Sequence, residues 1–150
     1  MRRFSFPLDR VLDLRRHELQ TAQAKLGEIQ RAQLQSRLQA DSLREEIAQR
    51  SDEVALARVI TGDSLRRRGA YLVRLTRNRE KELAAGQAWE QKRQEQAQRV
   101  VEIRRQVKLL ELLRSRKHAA HLAAIDRERE NQASEFFLAK WVRERRFGMN

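Results

Sequence analysis

Apolar residues return along the first third of the chain at alternating intervals of three and four. Counting sevens from Leu12 gives Leu12, Leu19, Leu26, Gln33, Ala40, Ile47 and Val54. The companion set is Leu8, Arg15, Ala22, Ile29, Ser36, Leu43, Arg50 and Ala57, and 11 of these 15 positions are apolar. That spacing places them on one seam of a helix facing a partner helix. Gln33 and Ser36 weaken the seam, while Leu34 and Leu38 lie off it, and a register shift near there would bring them in. Gly27 costs about 1 kcal/mol relative to Ala in a helix interior.

A second, less regular pattern follows. Leu65, Tyr71, Leu72 and Leu75 open it, then Leu83, Gly86 and Trp89. Val100, Ile103, Val107 and Leu110 form a regular 3–4–3 run. Leu112, Leu113, Ala120, Leu122, Ala124 and Ile125 extend an apolar surface, and Phe136, Phe137, Leu138 and Trp141 close it. Arg79, Glu82, Arg93 and Gln96 interrupt the stripe.

Breakers are nearly absent. Pro7 is the only proline, and the one cluster of turn residues is Thr61-Gly62-Asp63-Ser64. Gly62 is expected to supply a conformation other residues resist, with Asp63 or Ser64 capping the next helix. The expected fold is all-α. It is a long antiparallel two-helix coiled-coil hairpin with unequal arms, read as one domain over residues 1–150. Its helices span about 8–58 and about 63–146, with the turn at about 59–63. At 1.5 Å per residue the arms would run roughly 75 and 125 Å. Leu8 then lies opposite a position near 114, which leaves residues from about 115 without an intramolecular partner. That stretch carries Leu122, Ile125, Phe136, Phe137, Leu138 and Trp141, each worth roughly 1.5–3 kcal/mol if buried. It either docks into another protein, the favoured reading, or folds back on the hairpin.

Composition narrows the class. Charged residues make up 36% and aromatics 5% of the chain, the mix of a coiled coil or long helix. Disorder is the competing reading for so polar a chain, and it is expected at residues 1–5 and 147–150. The net charge of +12 is uneven. Residues 1–62 hold 11 basic and 9 acidic side chains, against 22 and 12 over 63–150, so the second helix carries the positive field. With no cysteine there is neither a disulfide framework nor a thiolate metal site. No stretch approaches the roughly 20 apolar residues of a membrane span, and the N-terminus lacks the apolar core of a signal peptide. A soluble intracellular protein is expected.

Catalytic patterns are missing. His118 and His121 share a helix face but nothing nearby completes a metal-ligand set, and His17 stands alone. The five glycines are scattered, so no loop cradles phosphate. The chain is expected to be no enzyme and to need no cofactor. Arg66-Arg67-Arg68 beside Tyr71, and Arg143, Arg145 and Arg146 beside Trp141, are the features a nucleic-acid binder would use. No compact reading module accompanies them, and nucleic acid is not the expected partner. The stretch Phe136–Arg146 has the local character of a membrane-surface helix. Insertion into a bilayer is not expected.

The N-terminus reads Phe4-x-Phe6-x-Leu8-x-x-Val11-Leu12-x-x-Arg15-Arg16-x-Glu18, followed by Ala22-x-Ala24-x-Leu26-Gly27. Near the end, Leu110-Glu111-Leu112-Leu113-x-x-Arg116-Lys117 runs on to Asp126-Arg127-Glu128 and Glu135-Phe136. These residues, in this order and over nearly the whole chain, resemble the FliJ family of the bacterial flagellar type III protein-export apparatus. The early Phe-x-Phe-x-Leu favours the flagellar member over a virulence-type stalk.

The resemblance implies a soluble coiled-coil stalk similar to part of the rotary ATPase gamma subunit. The end bearing the termini would sit in the hole of the hexameric export ATPase and promote its assembly. The body would contact the large membrane protein of the export gate and help couple proton motive force to export. Export chaperones are further partners of some members. The implied location is cytoplasmic, peripheral to the inner membrane at the flagellar base. For the gate contact the matching positions are Leu43, Tyr71, Leu72 and Leu75, with Tyr71 the most exposed because consecutive residues cannot both face the seam. For the ATPase end they are Leu8, Leu12, Phe136, Phe137, Trp141, Arg143 and Arg145, since a stalk in an acidic hole wants apolar bulk and Arg together.

Overall fold

A computed structural model of the chain describes residues 3–147. Two helices account for almost all of it: α1 (Asp9–Leu56) and α2 (Gly62–Phe147). They pack against each other as a helical hairpin, and among the described residues there is no strand. Pro7 lies in the turn ahead of α1, where its missing N–H costs nothing. The amide of Asp9 closes that turn on the carbonyl of Phe6 at 3.1 Å.

The hairpin turn departs from the expected chemistry. The helices are separated only by residues 57–61, and Gly62 is the first residue of α2 with no positive φ. A Cβ at Gly62 would meet nothing within 4 Å, so no left-handed glycine makes this turn. The cap is Thr61, not Asp63 or Ser64. Its Oγ1 accepts from the Ser64 amide at 3.3 Å, and its carbonyl accepts from Leu65 at 3.0 Å. Asp63 sits in the first turn of α2, where the helix dipole favours a carboxylate.

The chain divides into two compact units. One comprises Glu18–Ile103. Here Ala22 meets Gln96, Gln33 meets Glu90, and Glu46 meets Tyr71, so numbering falls on α2 as it rises on α1. That is antiparallel pairing. The buried positions of α1 in this unit are Ala22, Ile29, Gln33, Ser36 and Ala40. All belong to the heptad counted from the sequence, with its phase unbroken. The register shift that would bring in Leu34 and Leu38 does not occur. Leu34 and Leu38 stay 56% and 60% exposed, while Gln33 and Ser36 occupy the seam. Gln33 stays because it has a partner there, donating to Glu90 at 2.6 Å. On α2, Leu75, Gln96, Val100 and Ile103 are buried, with Arg79, Glu82 and Arg93 half-buried between them. These three and Gln96 continue the seam instead of interrupting it. Only Arg50, at its heptad position, swings out to solvent, where it pairs with Glu53 at 3.1 Å.

The other unit joins the residues up to His17 with those from Arg104 onward. Its core is Phe6, Leu12 and Val107. Asp9 pairs with Arg114 at 3.1 Å and Arg16 with Glu111 at 2.7 Å, again antiparallel. The segment before α1 is not loose as far as it is described. Phe4 lays its ring edge-on to His118, centroids 4.9 Å apart, and beside His121 at 5.6 Å. Phe6 is buried under Lys117, whose ammonium lies 5.9 Å from the ring centroid. The expected loose ends at residues 1–2 and 148–150 lie outside the described residues. From residue 126 to 146 every side chain is exposed, so the fold-back alternative for this stretch is not realised.

Candidate partner-binding surfaces

Two surfaces follow from this geometry, one in each unit. In the Glu18–Ile103 unit, Leu43 and Leu72 are half-buried and Leu75 is buried. Leu75 is thus a seam residue with little surface to offer. Tyr71 is the accessible member. Its ring edges α2, its hydroxyl donates to Glu46 Oε1 at 2.6 Å, and the Arg50 guanidinium stands 6.0 Å from the ring centroid. The bond to Glu46 holds the phenolic proton and raises its pKa above the ordinary tyrosine value. Tyr71 and Leu72 line a shallow cleft with Arg50, Glu53, Val54, Arg67 and Arg68. The cleft combines the apolar Val54 and Leu72 with three guanidinium groups, of which Arg50 is paired with Glu53, so its net charge is positive and suits an acidic, partly apolar segment.

Deeper in the same unit lies a polar cluster that sequence periodicity did not reveal. Glu90 accepts from Arg93 at 2.6 and 3.0 Å, from Gln33 at 2.6 Å and from Gln94 at 3.1 Å. These bonds, Arg93 foremost and then Gln33 and Gln94, hold the Glu90 carboxyl down to about 2. Below it, Gln96 donates to the backbone carbonyl of Ala22 at 3.0 Å. The small Ala22 side chain leaves that carbonyl within reach. Gln33 and Gln96 each join α1 to α2 by a directional bond, which a sequence count sees only as a gap in the stripe. The cluster ties helix to helix, beside an open cleft lined by Gln33, Ser36, Glu82, Gly86 and Glu90.

In the other unit, the positions expected at the ATPase end separate into two groups. Leu12 is 1% exposed and Leu8 half-buried, so Leu12 belongs to the core and presents nothing to a partner. Phe136, Phe137 and Trp141 are 71%, 70% and 51% exposed. Arg143 and Arg145 are exposed as well, and the Arg145 guanidinium caps the Trp141 ring at 4.0 Å. Leu138 and Val142 add to the uncovered apolar surface. This is a large apolar area for a single exposed helix, the kind that marks an interaction site. The role of Phe4 and Phe6 was also missed. Both hold the N-terminal segment to α2, and His118 and His121 form the platform for Phe4.

Among the described residues, no group of three or more His, Asp or Glu side chains is arranged to hold a metal ion. No described helix is long and apolar enough to cross a membrane. No family model, curated protein or solved structure matches the chain.

Proposed function

We propose that this chain is a coiled-coil stalk of a flagellar type III protein-export apparatus, inserting the distal part of α2 into a hexameric export ATPase and linking that ring to the export gate. The observation that carries the reading is the end of α2. Phe136, Phe137 and Trp141 stand exposed beside Arg143 and Arg145 on a helix that nothing else in the unit covers. Aromatic and Arg side chains together are the usual anchors of a protein interface. Leaving them in water on a folded helix has no benefit to the isolated chain. The resemblance of the N-terminal and basic C-terminal motifs to the FliJ family supplies the partner.

On this reading the exposed tail enters the ring, and the arginines meet acidic groups there. The Tyr71 cleft, with Arg50, Arg67 and Arg68, takes a segment of the gate protein. Export chaperones would be further clients. The working place is the cytoplasmic side of the inner membrane at the flagellar base, reached through partners.

The test is the pair Phe137→Ala and Trp141→Ala in one chain, read by stimulation of the purified export ATPase. Both side chains are exposed, so helicity and thermal midpoint stay unchanged while stimulation falls at least about tenfold, two anchors each being worth more than 1 kcal/mol. Full stimulation by the double variant would overturn the docking of this end.

A further inference from the structure

Beyond Arg104, α2 carries a second stripe on the side away from its seam. Val107 is buried and Leu110 half-buried in the seam. At about 100° per residue, Arg105, Leu109, Leu112, Arg116, Ala119 and Ala123 fall within an arc of about 80° on the opposite side. Their intervals alternate between four and three, the repeat that presents a face to another helix. All six are exposed, Leu109 at 59% and Leu112 at 49%.

Charge is divided between the two sides. Glu111 is the only acidic residue from Arg105 to Ala124, and it turns toward α1, accepting from Arg16 at 2.7 Å. Arg114 pairs with Asp9 at 3.1 Å, and Lys117 lies over the Phe6 ring. The seam side thus uses its own charges. Arg105, Lys108 and Arg116 are left exposed on the outward side, where this stretch has no carboxylate. Two leucines lie between two arginines that are three helical turns, roughly 16 Å, apart.

We propose that this outward stripe docks an acidic amphipathic helix of a partner protein. Its apolar side chains cover Leu109 and Leu112, and its carboxylates, three turns apart, meet Arg105 and Arg116. A second copy of the chain does not fit. Paired parallel, each arginine meets itself; paired antiparallel, Arg105 meets Arg116. A bilayer surface fits poorly as well, because the arginines sit within the apolar arc instead of on the far face of the helix. A nucleic acid would find no aromatic side chain in the stripe on which to stack. The contact shares no residue with the ring and gate contacts proposed above, and its test needs neither partner.

The probe is a stapled helical peptide carrying Glu-x-x-x-Leu-x-x-Leu-x-x-x-Glu on one face, titrated into the full chain by fluorescence anisotropy. It binds, and Leu109→Gln with Leu112→Gln weakens binding at least about tenfold. Arg105→Glu with Arg116→Glu weakens it by a similar factor, and that variant instead takes a peptide with both Glu replaced by Lys. All four sites are exposed, so circular dichroism stays unchanged. Phe137→Ala with Trp141→Ala leaves peptide binding intact, which separates this site from the docking of the distal end. No binding overturns the proposal. So does equal binding of a peptide with Leu and Glu on opposite faces, which would reduce the contact to charge alone. Tighter binding to phosphatidylserine vesicles or to duplex DNA at the same salt would give the stripe to a membrane or a nucleic acid and overturn it too.

Discussion

The two units hold the same pair of helices together by different means. In the Glu18–Ile103 unit a third of the buried seam is polar. Gln33, Ser36 and Gln96 are buried in it, and Glu90 gathers bonds from both helices. In the unit built from the chain's beginning and α2 beyond Arg104, the buried side chains are Phe6, Leu12 and Val107, flanked by exposed ion pairs. Apolar contact is strong but indifferent to register, since one leucine fits another's place. A glutamine amide bonded to a backbone carbonyl fits only one. The comparison teaches that the polar seam chooses the alignment and the apolar one supplies the strength.

Four changes test that division. The largest effect is expected at Leu12. Leu12→Ala removes the most deeply buried large side chain and costs about 3 kcal/mol, visible as a lowered urea midpoint. A cost under about 1 kcal/mol would mean the N-terminal seam collapses onto the gap and carries less than its burial implies.

Next comes Gln96→Ala. It loses a buried hydrogen bond to the Ala22 carbonyl, which keeps its place in the α1 ladder, a loss of about 1 kcal/mol. The sharper readout is pairing: with Gln96→Ala and Gln33→Ala combined, crosslinks between the helices of the Glu18–Ile103 unit spread over neighbouring positions instead of one. Retention of a single crosslinking register would show that the apolar positions alone choose the alignment.

The third test is pH. The Glu90 carboxyl has an ordinary value of 4.5 and is lowered to about 2 in the folded chain. A depressed carboxylate contributes its stability above 4.5, and that contribution is lost progressively as pH falls from 4.5 toward 2. Glu90→Gln therefore flattens the acid side of the stability profile relative to the parent, measured by thermal melts across that window. Identical profiles would remove Glu90 from the account.

The smallest effect is expected at Leu38. Leu38→Gln changes an exposed position outside the seam and shifts stability by no more than about 0.5 kcal/mol. A large loss there would mean that the register slips to bury Leu34 and Leu38 and would revive the shift that the hydrophobic pattern suggested.

Much of this was legible in advance, in specific places. The heptad from Leu12 names the buried positions of α1 because a seven-residue repeat leaves one face of a helix turned toward its neighbour. The run Val100, Ile103 and Val107 reads the same way on α2. The unequal arms follow from where the breakers are. The polar seam was misread, since Gln33, Arg93 and Gln96 look like defects until their bonding partners on the opposite helix are known. The turn was misread because Gly62 attracts attention as a glycine, although Thr61 provides the cap. Of the surfaces, Phe136, Phe137 and Trp141 could be found by subtracting one arm length from the other. Leu12 and Leu75 could not be told from contact residues without their burial.

Sequence periodicity by itself determined that the chain is a helical hairpin and which stripe of α1 is covered, because both depend on local spacing and on the lack of breakers. Only the tertiary structure decided which polar residues sit inside, that Phe4 and Phe6 fasten the beginning of the chain to α2, and that the end of α2 stays bare. Those outcomes depend on what lies across from each residue, and a side chain's worth in a seam is set by its partner, which no single helix contains.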